Sequence, residues 1–177
     1  MKLVILDRDG VINYDSREYI KTPDEWKPIP GSLKAVARLN QAGFRVVVVT
    51  NQAAIGRGLI DMPTFNAIND KMTKALAQFG GRIDALFFCP HAPEADCGCR
   101  KPRPGMYEEV ARRFNVRLDD VPCVGDSLRD LQAAHAMHAQ PMLVLTGNGK
   151  ATRRAGGMPE GTAIFPDLAE AVVSISA

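Results

Sequence analysis

The first residues in the chain that could do chemistry are two carboxylates, Asp7 and Asp9, placed directly after the apolar run at residues 3–6. Side chains alternate along an extended chain, so both should point to one side while Arg8 points away. Like charges this close raise each other's pKa unless a cation neutralises them. The pair therefore indicates a site for a hard cation such as Mg²⁺, or a shared proton. A turn in which one carboxylate only caps the backbone is the alternative.

Other polar side chains also stand where a predicted strand ends or a predicted helix begins. They are Thr50, Asn51, Lys101, Asp126 and Asp130. In an open α/β sheet, ligands bind just beyond the carboxyl ends of the strands. With Asp7 and Asp9, the set supplies a nucleophile, an acid or base, a hydroxyl, an amide, a cation and metal ligands. Such a set suits phosphoryl transfer through an aspartyl phosphate.

A second group of residues has the types and spacing of a metal site. The stretch CPHAPEADCGC, called the zinc loop below, contains a Cys and His pair and then two cysteines: Cys89, His91, Cys97 and Cys99. Thiolate and imidazole are preferred ligands of Zn²⁺, and each pair can occupy one edge of a tetrahedron. Because protein fills all four positions, the zinc would be structural and would pin a loop without a core of its own. Two buried cysteines and a surface histidine in an apolar turn are the alternative.

Three cations, Arg100, Lys101 and Arg103, follow the zinc loop just before a predicted helix. Positive charge at a helix N-terminus opposes the dipole and is tolerated where the side chains are exposed or face an anion. Since acidic strand ends are expected nearby, the cations indicate an anionic ligand. We predict that Arg100 holds part of that ligand through two parallel hydrogen bonds, with a solvated Arg100 as the alternative.

These residues need elements that bring them together. Short apolar runs alternate along the chain with helical patterns, which predicts an α/β fold with a doubly wound, Rossmann-like parallel sheet. Residues 14–30 should form a long ordered loop over the carboxylates, and Ser32 should cap the next helix. Asp61 should cap a further helix that has Pro63 in its first turn. Residues 150–161 are expected to form a mobile basic loop.

The composition limits the kind of protein this can be. The chain has 177 residues, 46% of them hydrophobic, and a net charge of +2. These values predict one domain over residues 1–177 and give no case for nucleic-acid binding. The apolar runs are too short for a bilayer, and no signal-peptide pattern opens the chain. We therefore expect a cytoplasmic monomer without nucleic-acid or membrane partners.

Four stretches resemble a known family. DRDGVIN, VVVVTNQ, CRKP and VGDSLRD are similar, in this order, to the four motifs of the haloacid dehalogenase superfamily of phosphohydrolases. The resemblance implies Asp7 as nucleophile, Asp9 as general acid and base, and Thr50 and Lys101 as groups that stabilise the phosphoryl oxygens. It implies Mg²⁺ bound by Asp7, the carbonyl of Asp9, and Asp126. It also implies a capless enzyme in which loops replace a cap domain.

The zinc loop narrows the resemblance to the branch that contains heptose bisphosphate phosphatases and histidinol phosphatases. The segment TNQAAIGRG is more similar to TNQSGIARG of the heptose enzymes, although Ala53-Ala54 replaces the usual Ser-Gly. Ser127 also stands where many heptose enzymes have Lys. The resemblance implies a phosphorylated sugar of lipopolysaccharide-core synthesis as substrate, with contacts from Asn51, Arg57, Arg100 and Lys101. Histidinol phosphate or another small sugar phosphate is the alternative substrate.

Two non-enzymatic interpretations of the sequence compete with the phosphatase interpretation. A phospho-accepting receiver domain also places Asp, Thr and Lys at strand ends, but its first strand normally ends in adjacent acids, whereas Asp7 and Asp9 are spaced by one. A receiver also has no use for Arg100 or a zinc loop. A zinc-organised binding module would leave the polar strand ends unexplained.

Overall fold

The computed structural model describes residues 1–177 and contains one six-stranded, wholly parallel sheet. The strands are β1 Leu3–Leu6, β2 Arg45–Asn51, β3 Ala85–Cys89, β4 Pro122–Gly125, β5 Gln140–Val144 and β6 Ala163–Phe165. Their order across the sheet is β3-β2-β1-β4-β5-β6. All four residues of β1 are buried, as expected for a central strand covered on both faces. The predicted doubly wound parallel sheet is confirmed.

Helices cover both faces of this sheet. They are α1 Ser32–Gln41, α2 Ala53–Gly56, α3 Met62–Ala77, α4 Gly105–Phe114, α5 Leu128–Ala136, α6 Gly149–Ala155 and α7 Leu168–Ile175. On one face, Val4 and Leu6 pack in a core with residues of α1, α3 and α7. On the other face, Leu3 and Ile5 pack with residues of α4 and α5. Alternate side chains of one strand therefore supply two cores. None of the helices reaches the length and apolarity that a bilayer crossing requires.

Two helix starts show how local chemistry sets the element bounds. The Asp61 side chain accepts a hydrogen bond from Thr64 N at 2.9 Å and caps α3, as predicted. The predicted cap at Ser32 is wrong, because Gly31, with a φ of 87°, precedes α1 and Ser32 is its first residue. The buried Ser32 hydroxyl donates instead to Val11 O at 2.8 Å. It thereby ties α1 to the turn that follows β1.

The expected loop at residues 150–161 is also partly wrong, because α6 occupies Gly149–Ala155. Its basic residues face outward, but Thr152 is buried and its hydroxyl donates to Asp126 O at 2.7 Å. A single buried threonine among exposed cations leaves too little apolar periodicity for a sequence pattern to show a helix. The helix therefore supports the strand end that carries Asp126.

The predicted ordered loop at residues 14–30 is present and is held by its own apolar side chains. Ile20, Trp26 and Ile29 are buried, and Trp26 is only 1% exposed. Lys71 of α3 donates to the carbonyl oxygens of Pro23 and Trp26 at 2.7 and 2.8 Å. The loop is therefore packed on the body of the fold.

Replacing Trp26 with Ala should destabilise the protein by about 3–5 kcal/mol, the usual cost of emptying a large buried aromatic site. Urea denaturation followed by circular dichroism would measure the loss. Tyr14→Ala, in the same loop but with Tyr14 53% exposed, is the matched control and should change stability by less than about 0.5 kcal/mol. Equal effects of the two changes would contradict this account of the loop.

Candidate active site

A buried lysine lies at the carboxyl edge of the sheet between two carboxylates. The Nζ atom of Lys101 is 3.2 Å from Asp7 Oδ1 and 2.6 Å from Asp130 Oδ1, and it donates to Val49 O at 2.8 Å. The Lys101 side chain is 2% exposed. Burial alone would lower the pKa of Lys101, but Asp130 and Asp7 together raise it above its ordinary value. The side chain therefore stays charged.

Asn51, at the end of β2, holds the backbone of this lysine. Its Oδ1 accepts from Lys101 N at 3.0 Å, and its Nδ2 donates to Lys101 O at 3.2 Å. The two bonds fix Lys101 against the strand end that also carries Thr50. Both polar atoms of the Asn51 side chain are therefore already engaged by the protein. The predicted contact of Asn51 with the substrate stays a prediction.

The second carboxylate of the pair is surrounded by donors. Asp9 Oδ1 accepts from Arg8 Nε at 2.9 Å and Asn13 Nδ2 at 3.0 Å, while Oδ2 accepts from Gln52 Nε2 at 3.1 Å. Burial opposes ionisation of Asp9, but the charge of Arg8 and these hydrogen bonds outweigh burial and lower its pKa. Gln52 also donates to Thr50 Oγ1 at 2.9 Å. Gln52 therefore links the Asp9 carboxylate, which follows β1, to the Thr50 hydroxyl near the end of β2.

Arg8 points away from the pocket, as predicted, since Asp7 and Asp9 line the pocket and Arg8 does not. Arg8 is completely buried, and its guanidinium lies between Asp9 and Asn69, donating to Asn69 Oδ1 at 3.0 Å. At this point β1 has ended at Leu6 and a turn begins. The backbone turn brings the arginine behind Asp9.

Three carboxylates, from Asp7, Asp126 and Asp130, have ligand atoms within 4.8 Å of one another. Burial and the charge of Asp130 raise the pKa of Asp7 well above its ordinary value, and the same causes raise that of Asp126 to about 7. A bound divalent cation would offset this repulsion, and oxygen donors of this kind suit Mg²⁺. The residues therefore fit the predicted magnesium site.

Two glycines leave the space that Asp126 occupies. A Cβ atom on Gly10 would lie 2.1 Å from Asp126 Oδ2, and one on Gly147 would lie 2.2 Å from it. Both glycines have a positive φ, which side chains rarely tolerate. Asp126 Oδ2 also accepts from Asn148 N at 2.8 Å. The carboxylate is thus held in a cradle of backbone.

Asp130 belongs to the predicted set of strand-end residues, although the family resemblance gives it no metal or catalytic role. Its Oδ2 accepts from Asp126 N, Ser127 N and Ser127 Oγ at 3.2, 3.1 and 2.9 Å. Burial opposes its ionisation, but Lys101 and these donors lower its pKa. Asp130 is therefore the fixed counter-ion of Lys101, and the motif VGDSLRD was the signal for it.

The four residues of the zinc loop converge on one point. Cys89 Sγ lies 3.5 Å from His91 Nδ1, 3.8 Å from Cys97 Sγ and 3.1 Å from Cys99 Sγ, and His91 Nδ1 lies 3.3 Å from Cys99 Sγ. Zinc bonds of about 2.3 Å to sulfur and about 2.0 Å to nitrogen give tetrahedral edges of roughly 3.5–3.8 Å. The cluster therefore fits Zn²⁺ with all four positions filled.

The polar pocket over these strand ends also receives side chains from loops. Arg100 lines it, and several further lining residues were not indicated by the sequence: Asp15, Ser16, Tyr19, Arg129 and Asn148. Arg57 is not among the lining residues. Its guanidinium donates to Tyr19 OH at 3.0 Å and to Glu94 Oε1 at 3.1 Å, and its substrate contact stays a prediction.

The sheet and the Asp and Lys residues at its carboxyl edge define a hydrolase of the haloacid dehalogenase type, and a HAD-hydrolase-like family model matches residues 98–171. Two curated relatives are named D-glycero-beta-D-manno-heptose-1,7-bisphosphate 7-phosphatase. The one from Bordetella bronchiseptica is 60% identical over 96% of this chain and 94% of its own. The one from Pseudomonas putida is 51% identical over 96% of both chains. The chain belongs to this phosphatase family.

A solved structure agrees with that assignment. The crystal structure of D,D-heptose 1,7-bisphosphate phosphatase from B. bronchiseptica, complexed with magnesium and phosphate, is 58% identical. It matches with a TM-score of 0.98 over 99% of this chain and 98% of that chain. The phosphatase prediction is confirmed, and the receiver-domain and binding-module alternatives are wrong.

Replacing Cys97 with Ser should lower the zinc content of the purified protein and its melting temperature, because a serine hydroxyl is a poor zinc ligand and the loop has no core of its own. Elemental analysis and calorimetry would measure both. Cys123→Ala removes a buried cysteine outside the cluster, so it should leave the zinc content unchanged. Zinc content that is equal in the two variants would contradict the proposed ligand set.

Proposed function

We propose that this protein hydrolyses the 7-phosphate of D-glycero-D-manno-heptose 1,7-bisphosphate, with Asp7 as the nucleophile. One observation carries the proposal: the pocket that holds Asp7 contains two separate groups of cations. Lys101 stands beside the nucleophile, while Arg100 and Arg129 line the same pocket without a carboxylate partner. Two cationic groups in one small pocket suit a ligand with two phosphates.

In the first step, a carboxylate oxygen of Asp7 attacks phosphorus as the bond from phosphorus to the sugar oxygen breaks. Lys101, 3.2 Å from Asp7, lies where its charge can stabilise the oxygens of the transferred group. Thr50, whose hydroxyl accepts from Gln52, can donate its own proton to one of those oxygens. Negative charge that develops on the phosphoryl oxygens is therefore stabilised by two donors whose positions are fixed, Lys101 and Thr50.

Asp9 is the general acid and base of the proposed reaction. Arg8 and Asn13 both hold Oδ1, whereas Oδ2 accepts a single hydrogen bond, from Gln52, and keeps a lone pair that can reach the leaving group. The pKa of Asp9 is low in the free protein, and the negative charge of an arriving phosphate raises it. Protonated Asp9 gives its proton to the sugar oxygen that leaves. It then takes a proton from the water that hydrolyses the aspartyl phosphate.

Asp7, Asp126 and the carbonyl of Asp9 would hold Mg²⁺, which when bound neutralises charge on the phosphoryl oxygens. Asp130 supports the same site from one side, because it is the counter-ion of Lys101. Asp126 itself is fixed by the backbone of Asn148. These contacts hold the carboxylates in place before substrate arrives.

The second phosphate is assigned to Arg100 and Arg129. The Nη1 atom of Arg100 is buried and has no hydrogen-bond partner in the protein. Burial and the charge of Arg129 both lower the pKa of Arg100, so each guanidinium would be stabilised by an anion between them. Arg129 also offers a cation close to Ser127, where many heptose enzymes have Lys. The pair can grip a phosphate through parallel hydrogen bonds.

We further propose that loops take the place of a cap domain in a single-domain, cytoplasmic monomer. The loop at residues 14–30 supports this, since Asp15, Ser16 and Tyr19 line the pocket from above the strand ends. The sequence after the zinc loop supplies Arg100 on another side.

Changing Asp7 to Asn should lower kcat by at least about a thousandfold, because the amide cannot form the phosphoenzyme. The melting temperature should not fall, since burial and the charges of Asp130 and Asp126 disfavour the ionised Asp7 more than its pairing with Lys101 favours it. Phosphate release from heptose bisphosphate and from p-nitrophenyl phosphate would measure the loss. Activity of Asp7→Asn within about tenfold of the unaltered enzyme would contradict the role of Asp7.

Omitting Mg²⁺ from the assay, with the zinc retained, should abolish turnover, and added Mg²⁺ should restore it and raise the melting temperature. The reason is that three carboxylates, two of them buried and that of Asp7 partly buried, face one lysine and need further positive charge. In Asp126→Asn, the Mg²⁺-dependent rise in melting temperature should be smaller than in the unaltered protein. An equal rise in both would place the cation elsewhere.

Replacing Arg100 with Ala should lower kcat/KM for heptose bisphosphate by about 10–100-fold, the usual value of a lost charged hydrogen bond. The loss with p-nitrophenyl phosphate should be much smaller, because that substrate has no second phosphate. Lys101→Ala is the matched control and should damage both reactions alike. Equal losses with both substrates in Arg100→Ala would place Arg100 in the reacting centre instead.

A further inference from the structure

Three segments meet on one side of the pocket rim: the loop at residues 14–30, the end of α2, and the zinc loop. One guanidinium joins all three. Arg57, just after α2, donates from Nε to Tyr19 OH at 3.0 Å and from Nη2 to Glu94 Oε1 at 3.1 Å. Tyr19 belongs to the first segment and Glu94 to the zinc loop. We call this contact the Arg57 bridge.

Tyr19 is the member of the Arg57 bridge that faces the pocket. Its backbone has a φ of 67°, a conformation that residues other than glycine adopt rarely and at a cost. Such a conformation persists only where the surroundings hold it. Here the ring packs against the apolar cluster of Ala54, Ile60 and Phe65, and the hydroxyl accepts the bond from Arg57.

The position of Arg57 is itself set by close packing of α2 on the zinc loop. A Cβ atom on Gly56 would lie 2.5 Å from Pro90 O and 2.8 Å from Ala92 N. Only glycine permits this approach of the two backbones. Arg57 therefore follows a residue that is fixed against the zinc loop, and Glu94 orients its guanidinium toward Tyr19.

We propose that Arg57 is a positioning residue: it holds Tyr19 at the pocket rim, where the tyrosine ring packs against the carbon chain of the substrate. The inference rests on the proposed function for the identity of that substrate. It gives Arg57 a role in specificity without direct contact, and it connects the zinc loop mechanically to the substrate. Tyr19 becomes the residue that touches the ligand.

A plain surface ion pair is the competing explanation. Arg57 and Glu94 have side chains that are 38% and 70% exposed, and exposed pairs contribute about 0–1 kcal/mol to stability. Such a pair would leave substrate binding unchanged. The two explanations therefore differ in KM and in the order of the loop at residues 14–30, not in stability.

The experiment compares Arg57→Met, Tyr19→Phe and the double variant with heptose bisphosphate as substrate. Each single change removes the same hydrogen bond, so each should raise KM by about three- to tenfold, with kcat changed by less than about twofold. The double variant should be no worse than Arg57→Met alone, because Arg57→Met already breaks the bond that Tyr19→Phe removes. Arg57→Lys, which keeps a donor, should recover part of the loss.

Hydrogen exchange provides a readout that needs no substrate. Amides of residues 14–22 should exchange faster in Arg57→Met and Tyr19→Phe than in the unaltered protein, while the zinc content stays the same. Arg117→Met is the matched control, since Arg117 pairs with Asp119 at 2.9 and 3.0 Å on an exposed surface outside the pocket. It should change neither KM nor exchange in that loop.

Several outcomes would overturn the inference. An unchanged KM or unchanged exchange in Arg57→Met would mean that the Arg57 bridge positions nothing. Effects on KM that multiply in the double variant would mean that Arg57 and Tyr19 act independently. If the unaltered protein does not turn over heptose bisphosphate, the proposed function is wrong, and so is the proposed contact of Tyr19 with that substrate. The hydrogen-exchange data would still show whether Arg57 holds the loop at residues 14–30.

Discussion

The rest of the structure depends on one buried cation, Lys101, placed between Asp7 and Asp130. A buried charge costs several kcal/mol unless it is paired, so the lysine and the two carboxylates stabilise one another. Asp126 adds a third carboxylate to the same space. One ammonium group cannot neutralise three carboxylates. The excess negative charge is the physical reason why this site suits a divalent cation, and only with that cation bound would the site attract a phosphate.

The site is assembled from segments that are far apart in the chain. Asp7 follows the central strand and Asp130 lies on α5, but Lys101 comes from a segment between the zinc loop and α4. That segment is positioned by the side-chain amide of Asn51 and by the Cys and His cluster just before it. The zinc cluster would therefore affect the proposed reaction only indirectly, because it helps to fix where the lysine enters the site.

Much of this arrangement was predictable from sequence, since it depends on short-range patterns. Asp7, Asp9, Asp126 and the zinc ligands stand at recognisable spacings beside apolar runs or within one loop. Three features were not predictable, because each depends on a tertiary contact without a local pattern. Arg8 turns inward after β1 ends, Thr152 anchors a helix among exposed cations, and Arg57 finds its partners in two distant loops. In each case a polar side chain is engaged by a remote group that no local sequence pattern indicates.

The strand ends and the loops contribute different parts of the proposed site. The strand ends hold the reacting groups, and the loops face the rest of the substrate. Asp7 and Asp9 follow β1, Thr50 lies near the end of β2, and all three are held by buried partners, so their geometry changes little without unfolding. Arg100, Arg129 and Tyr19 approach from a connecting segment, a helix start and a loop, where contacts are fewer and more exposed. Substitutions in the second group can therefore alter which phosphate ester fits while the reacting centre keeps its charges. A fold of this kind can change its substrate through single side chains of the rim, because Lys101 takes its charge partners from Asp7 and Asp130 and not from those side chains.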